Sequence, residues 1–353
     1  MSEQNKQVPR LRFPGFTDAW VKHMVKDIFT VTRGNVLATT KTTSIPTDKS
    51  IFPVYSSQTK NDGLMGYYDK FLFQNAITWT TDGANAGTVK YRRGKFYSTN
   101  VNGVLLGDFA NKATAEILNR IAYKFVSKVG NPKLMNNVMA EIEIFLPNFE
   151  EQQRISNLLD KLDNLITVNE RELNKLKNLK KSYLEKMFPK NGSNIPELRF
   201  PGYTDAWVKC TFEDLGIITA GGDVNKKGLL LSGNYPVLAN ALNNDGIIGY
   251  YDDYKVSAPA VTITGRGNIG HAKARKISYT PTVRLISLEP FNSDVDFLEN
   301  LINTNNFFVE STGVPQLTGP QFGHFEVILP KREEQTKIGK FFQHLDNLIT
   351  VNE

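Results

Sequence analysis

From Glu150 onward, apolar residues recur at alternating steps of four and three. Ile155, Leu159, Leu162 and Ile166 are followed by Asn169, then by Leu173, Leu176, Lys180, Tyr183 and Met187. This is the heptad seam of a coiled coil, sustained over more than four repeats. Leu158, Leu165 and Leu179 add a second apolar flank, wider than a two-stranded coil needs. The pattern predicts one helix over Glu150–Phe188, about 55–60 Å long at ~1.5 Å per residue. Pro147 precedes it and Pro189 ends it. Asn169, polar within the seam, is expected to fix register.

Elsewhere the pattern is that of strands and short helices. Phe52–Ser56, Phe71–Thr81 and Thr88–Tyr91 are rich in β-branched and aromatic residues, and Gly, Asn and Asp punctuate them. Ala113–Lys128, with Ile117, Ile121 and Phe125 at helical spacing, and Asp294–Asn303 predict amphipathic helices. Pro189–Glu197 has the composition of a linker. The fold class is α+β: mostly-β globular segments joined to long helices.

The whole arrangement occurs twice. Leu11-Arg12-Phe13-Pro14-Gly15-Phe16-Thr17-Asp18-Ala19-Trp20-Val21 returns at an offset of 187 as Leu198–Val208, with only Phe16 changed, to Tyr203. Glu150–Glu170 returns at an offset of 183 as Glu333–Glu353, identical at 13 of 21 positions. Between these anchors, Asn61-Asp62-Gly63 matches Asn244-Asp245-Gly246, and Gly66-Tyr67-Tyr68-Asp69 matches Gly249-Tyr250-Tyr251-Asp252. Leu146-Pro147 matches Leu329-Pro330. The tandem repeat divides into a globular segment 1–149, a helix 150–188, a linker 189–197, a second globular segment 198–332 and a second helix 333–353. In the second helix, Ile338, Phe342, Leu345 and Ile349 hold the seam positions. That helix stops at the counterpart of Glu170, about 19 residues short of the first copy. Leu173, Leu176, Tyr183 and Met187 are therefore expected to lack partners within the chain, leaving a frayed or oligomer-prone helix end.

Composition narrows the class. Of 353 residues, 40% are hydrophobic and 22% charged, which is ordinary for a soluble globular protein. The single cysteine, Cys210, allows no internal disulfide. No apolar run of about 18 residues predicts a membrane span, and Met1–Arg10 lacks a signal core, so the expected location is cytoplasmic. Net charge is +6, from 42 basic and 36 acidic residues. It is unevenly spread. Residues 1–189 hold 27 basic against 18 acidic, and residues 190–353 hold 15 against 18. Arg171–Pro189, the stretch without a second copy, carries six basic and two acidic residues and accounts for part of the imbalance. Such a balance permits nucleic-acid binding without establishing it.

Candidate chemistry follows the repeat. Gly265-Arg266-Gly267-Asn268-Ile269-Gly270 fits a dinucleotide fingerprint, but the basic stretch after it has no apolar face to open a helix, and the first copy lacks the pattern. The cations Lys90, Arg92 and Arg93 recur as Lys273, Arg275 and Lys276. Thr80, Thr81, Asp82 and Asn85 precede the first set, and Thr264, Arg266 and Asn268 the second. Lys and Arg suit phosphates, while Arg, Asn, Ser and Thr suit base edges, so these strands and turns are candidate DNA contacts. A solvated hairpin with incidental charge is the plainer alternative. A second variable loop carries Ser57 and Gln58 in one copy and Asn240 in the other. Trp20 and Trp207 are read as core aromatics. His23, His271, His324 and His344 are dispersed. No metal-ligand spacing or catalytic motif is apparent, and Cys210 replaces His23 in the repeat.

The paired Leu-Pro-x-x-Glu-Glu-Gln…Leu-Asp-x-Leu-Ile helices over Leu146–Ile166 and Leu329–Ile349, with the Leu-Arg-Phe-Pro-Gly opening, resemble the specificity subunit of type I restriction–modification systems. The resemblance covers nearly the whole chain, C-terminally shortened relative to the full repeat. It implies two target-recognition domains, pseudo-two-fold related, with antiparallel coiled-coil spacer helices. It implies no catalysis by the chain itself. Double-stranded DNA, two methyltransferase (modification) subunits and restriction or translocase subunits are the expected partners, and no membrane. No cofactor is expected on this chain; S-adenosylmethionine, ATP and Mg are expected on the partners. Two other readings stay open: a fragment of a fused restriction–methylation enzyme, and a non-DNA coiled-coil assembly protein.

Overall fold

A computed structural model describes residues 9–57, 60–190, 192–305, 307 and 316–353. The chain divides into two compact units, residues 1–167 and 168–353.

The first unit contains β1 (Val21–Met24), β2 (Thr30–Arg33), β3 (Phe52–Tyr55), β4 (Leu64–Tyr68), β5 (Phe73–Thr80), β6 (Val89–Ser98), β7 (Asn102–Leu106) and β8 (Glu143–Leu146). Six of these form one sheet, in the order β2-β7-β5-β6-β3-β4. Its pairs are antiparallel except β3 with β6. β1 and β8 make a separate antiparallel pair. β5 is buried from Ala76 to Thr80 because both faces are covered. Ile77 and Trp79 face the main core with Leu105, Leu118 and Leu134, and Ala76 meets Phe96 and Val104 on the other side. The Trp79 indole donates to the Leu134 carbonyl at 3.0 Å. Gly103 lies opposite it, where a Cβ would stand 2.0 Å from the ring, so only glycine fits.

β6 runs past the expected Tyr91 to Ser98. Arg92-Arg93-Gly94-Lys95 breaks the apolar pattern, and a bulge absorbs the break. Asn75 (φ 49°) and Gly94 (φ 73°) take left-handed backbone, and the Gly94 amide donates to Asn75 Oδ1 at 2.7 Å. The helix expected over Ala113–Lys128 is Lys112–Ala122, N-capped by Asn111, whose side chain accepts from the Thr114 amide. It gives way to a tighter turn at Tyr123–Phe125, where Phe125 is 43% exposed and supplies no packing to sustain another turn.

The second unit repeats the plan with β9 (Val208–Thr211), β10 (Gly216–Ala220), β11 (Tyr235–Leu238), β12 (Ile247–Tyr251), β13 (Ala260–Thr264), β14 (Ala272–Arg275), β15 (Thr280–Pro281), β16 (Leu285–Pro290) and β17 (Glu326–Leu329). The order β10-β16-β13-β14 answers to β2-β7-β5-β6. The order β12-β11-β15 answers to β4-β3-β6, with β11 and β15 again parallel. The long β6 is here cut into β14 and β15, because Lys276–Ser278 leaves the ladder before Tyr279 rejoins it in a bridge to Val256. β17 pairs with β9. The helix Val295–Thr304 is capped by Asp294, which accepts from the amides of Asp296 and Phe297.

Two long helices complete the chain: Phe149–Met187, of 39 residues, and Arg332–Asn352, of 21. Within the second unit they run antiparallel. Lys177 pairs with Glu353 at 2.8 Å, Lys180 with Asp346 at 2.5 Å, and Tyr183 sets its ring edge-on to Phe341. Met187 is buried in the same core as Trp207, Phe297 and Phe342. These contacts overturn the expectation of a partnerless helix end. Leu158 and Leu159 of the first copy are Phe341 and Phe342 in the second, and the larger rings reach Tyr183 and Phe188. Leu173 and Leu176 are half-buried. Ile338, Phe342 and Leu345 are buried and Ile349 partly so, whereas residues 161–170, including Leu162, Ile166 and Asn169, are exposed. Asn352, the counterpart of Asn169, donates to the Leu348 carbonyl of its own helix. Neither asparagine bonds to another helix among the described residues. Trp207 is the core residue expected, but Trp20 is only partly buried.

Gly103→Ala should drive a methyl group into Trp79 and destabilise the first unit by about 1–3 kcal/mol. Thermal denaturation beside the wild type checks this.

Candidate nucleic-acid interface

Each unit is closed by the same clasp. Arg12, from the repeated opening motif, donates to both carboxylate oxygens of Glu151, at 2.8 and 2.6 Å. Arg199 does the same to Glu334, at 2.8 and 2.7 Å. Both glutamates are buried. Gln152 and Gln335, the next residues, donate to the carbonyls of Pro147 and Pro330. Their oxygens accept from Asn111 Nδ2 and the Asp294 amide, the caps of the two short helices. The two most strongly repeated motifs are thus the two halves of one contact.

The basic strands sit on the sheets that this clasp anchors. Asn61, Asp62 and Gly63 all have positive φ (50°, 55° and 80°), as do Asn244, Asp245 and Gly246 (49°, 53° and 77°). This left-handed turn brings Asp62 to the β6 cations: Lys90 donates to Oδ1, and Arg92 to Oδ2 at 2.6 Å. Arg92 also donates to Thr78 Oγ1 at 3.2 Å and stacks 3.8 Å above the Tyr55 ring. In the second unit Lys273 donates to Asp245 Oδ1. Arg275 donates to Thr262 Oγ1 and to the Asp245 carbonyl, both at 3.0 Å. Asp62, Thr78, Thr80, Lys90 and Arg92 line a cleft of about 250 Å³. Burial alone would raise the Asp62 pKa, but Lys90 and Arg92 outweigh it and hold the carboxyl below its ordinary value. The Lys273 hydrogen bond holds Asp245 low in the same way. Burial, with Lys273 and Arg275 nearby, lowers the His271 pKa.

The outer cations are paired as well. Arg93 reaches Asp160 at 2.5 Å and Lys276 reaches Asp296 at 2.6 Å. Several other candidates are occupied in shaping the turns. Thr81 donates to the Val101 carbonyl, and Thr264 donates to the Asn268 carbonyl while accepting from the His271 amide. Thr80 is buried. Asn240 spends its whole amide on backbone, accepting from Gly265 N at 2.8 Å and donating to the Arg266 carbonyl at 2.9 Å. Asn85 and Asn268 are exposed at the tips of the β5–β6 and β13–β14 turns, with Arg266 beside the second. The glycine-rich segment there leads into β14, not into a helix. Ser57 is partly buried, and Gln58 lies outside the described residues. Asp62, Asp245 and Tyr55 belong to this cluster and were not among the residues singled out above. Asn-Asp-Gly was visible in both copies as a sequence match, and its repetition was the available signal.

No helix among the described residues is long and apolar enough to cross a membrane. The profile of the type I restriction modification DNA specificity domain matches residues 17–178 and 204–353. The chain belongs to this family, whose role is DNA recognition, and carries two such domains in tandem. It is similar to a type I specificity subunit of Mycoplasma pneumoniae, 30% identical over 328 residues, covering 90% of this chain and 86% of that one. The specificity subunit of the M. pneumoniae restriction enzyme MpnII is 39% identical over 140 residues, 38% of this chain and 41% of the relative. The fold matches the crystal structure of the type I S subunit of M. genitalium with a TM-score of 0.70 at 17% identity, covering 98% of this chain and 93% of that one. It is therefore a type I specificity subunit, a non-catalytic component, and the reading as a non-DNA assembly protein is set aside.

A depressed carboxyl pKa adds stability above the unfolded value of about 3.9 and loses it as pH falls through the folded value. Lys273→Ala should let the Asp245 midpoint climb towards about 3.9, as followed by carboxyl NMR titration.

Proposed function

We propose that this chain reads an asymmetric, bipartite duplex target, one half per unit, on behalf of modification subunits. The observation that carries this reading is a scaffold repeated with the same basic strand but different turn tips: Asp82-Gly83-Ala84-Asn85 against Gly265-Arg266-Gly267-Asn268. Equal tips would favour a symmetric site, and unequal tips favour an asymmetric one. Lys90 and Lys273 are assigned to phosphates. Asn85, Arg266 and Asn268 are assigned to base edges, where Arg pairs with guanine and Asn with adenine. Ser57 and Gln58 are assigned to a neighbouring contact.

The long helices would set the spacing between half-sites; 39 residues make a rod of about 58 Å. Exposed Leu158, Leu162, Leu165 and Ile166 form an apolar stripe suited to docking a modification subunit. Two such subunits would bring S-adenosylmethionine, and restriction subunits ATP and Mg.

Selection from randomised duplex by the chain with purified modification subunit tests this reading. The expected result is one bipartite, non-palindromic site. Arg266→Ala should relax preference in one half-site only. Lys90→Ala should weaken binding to all duplexes alike and lower the salt slope by about one. Failure to enrich any sequence would overturn the proposal.

A further inference from the structure

We propose that Asp62 and Asp245 are affinity-setting residues: each carboxylate stands where a DNA phosphate would, and a duplex must displace it before the basic strand can bind. This rests on the DNA-reading role proposed above. The argument begins with geometry. Asp62 presents one charge over two oxygens, one taken by Lys90 and the other by Arg92. A phosphodiester presents the same charge on two non-bridging oxygens, so it can replace the carboxylate on the exposed lysine, while the buried Arg92 stays held by Thr78 and the Tyr55 ring. The second unit repeats the arrangement at a constant offset of 183, with Lys273 on the Asp245 carboxylate and Arg275 on its carbonyl. Non-glycine residues rarely take left-handed backbone, yet both units hold an Asn-Asp pair there, which aims the carboxylate at the basic strand. The lysine–aspartate pairs remain within reach of solvent, with side chains 41–56% exposed. They are therefore open to exchange, and not sealed struts.

The energetic consequence is a cost that every duplex meets. Exchanging a carboxylate for a phosphate leaves the number of ion pairs unchanged, so a non-cognate backbone gains little. A cognate duplex adds base contacts at the turn tips and can displace the carboxylate. Removing the carboxylate charge leaves Lys90 and Arg92 in the first unit and Lys273 in the second without their carboxylate partner, and these cations attract any backbone.

The test compares the wild type with the D62N/D245N variant, each as the full chain with purified modification subunit. Asparagine keeps the left-handed turn accessible. D62G/D245G, which also accommodates that backbone, carries the same expectation. E143Q/E326Q, which removes the acids of the Lys22 and Lys209 pairs on the two separate two-stranded sheets, matches the change of two charges and controls for it. On a duplex unrelated to the selected target, the variants should bind about 10-fold tighter. Their salt slope should steepen by about one to two. Binding to the selected target should tighten by a similar factor, because every duplex meets the same cost, so the specificity ratio stays within about threefold of the wild type. Variants that match E143Q/E326Q, or that lose target binding in proportion to stability, overturn the inference while the DNA-reading role stands. A wild type with no duplex preference overturns both.

Discussion

The ion pair between Arg12 and Glu151, and its twin between Arg199 and Glu334, is the constraint on which each unit depends. It joins residues 139 and 135 positions apart, so it closes nearly the whole globular segment into one loop. A buried carboxylate is costly unless it is fully paired, and the bidentate guanidinium supplies that pairing in a fixed plane. The clasp places the opening motif against the first turn of the long helix. Gln152 and Gln335 then tie that turn to the cap of the short helix and to the proline before it. The sheet between can vary, because neither partner of the clasp lies within it. Lysine could not replace either arginine without losing the second hydrogen bond.

The same economy governs the electrostatics. The basic strands do not present bare cations. Lys90, Arg92 and Lys273 meet carboxylates brought by a loop 28 or 30 residues away, and Arg93 and Lys276 reach Asp160 and Asp296. The overall +6 therefore overstates the positive field at the sheet faces. The long helix follows the same rule between residues 171 and 181, where Lys177 pairs with Glu353 and Lys180 with Asp346.

What could be read from the sequence follows the range of the interactions. The long helix was legible because its heptads are local, and the duplication was legible because identity needs no structure. The extent of β6 was hidden because Arg92–Lys95 imitates a loop, and only the Asn75–Gly94 bulge carries the strand through it. The pairing of the cations was hidden because Asp62 is distant in sequence, and its left-handed turn leaves no apolar pattern. Asn240 looked like a free polar tip because its loop differs between copies, yet its amide is committed to the backbone of Gly265 and Arg266. The fate of Tyr183 and Met187 turned on two phenylalanines replacing two leucines, a change of volume that a heptad pattern does not register.

The three tryptophans have an optical consequence. Trp79 lies in the core of the first unit, with its indole bonded to the Leu134 carbonyl, and Trp207 lies in the aromatic core of the second, edge-on to Phe188. Trp20 is only partly buried and belongs to the first unit. Emission from each unit therefore arises from chromophores in different surroundings. Replacing Trp207 alone leaves a chain whose tryptophan fluorescence reports only the first unit, which makes the two halves of a duplicated molecule separately visible in one cuvette.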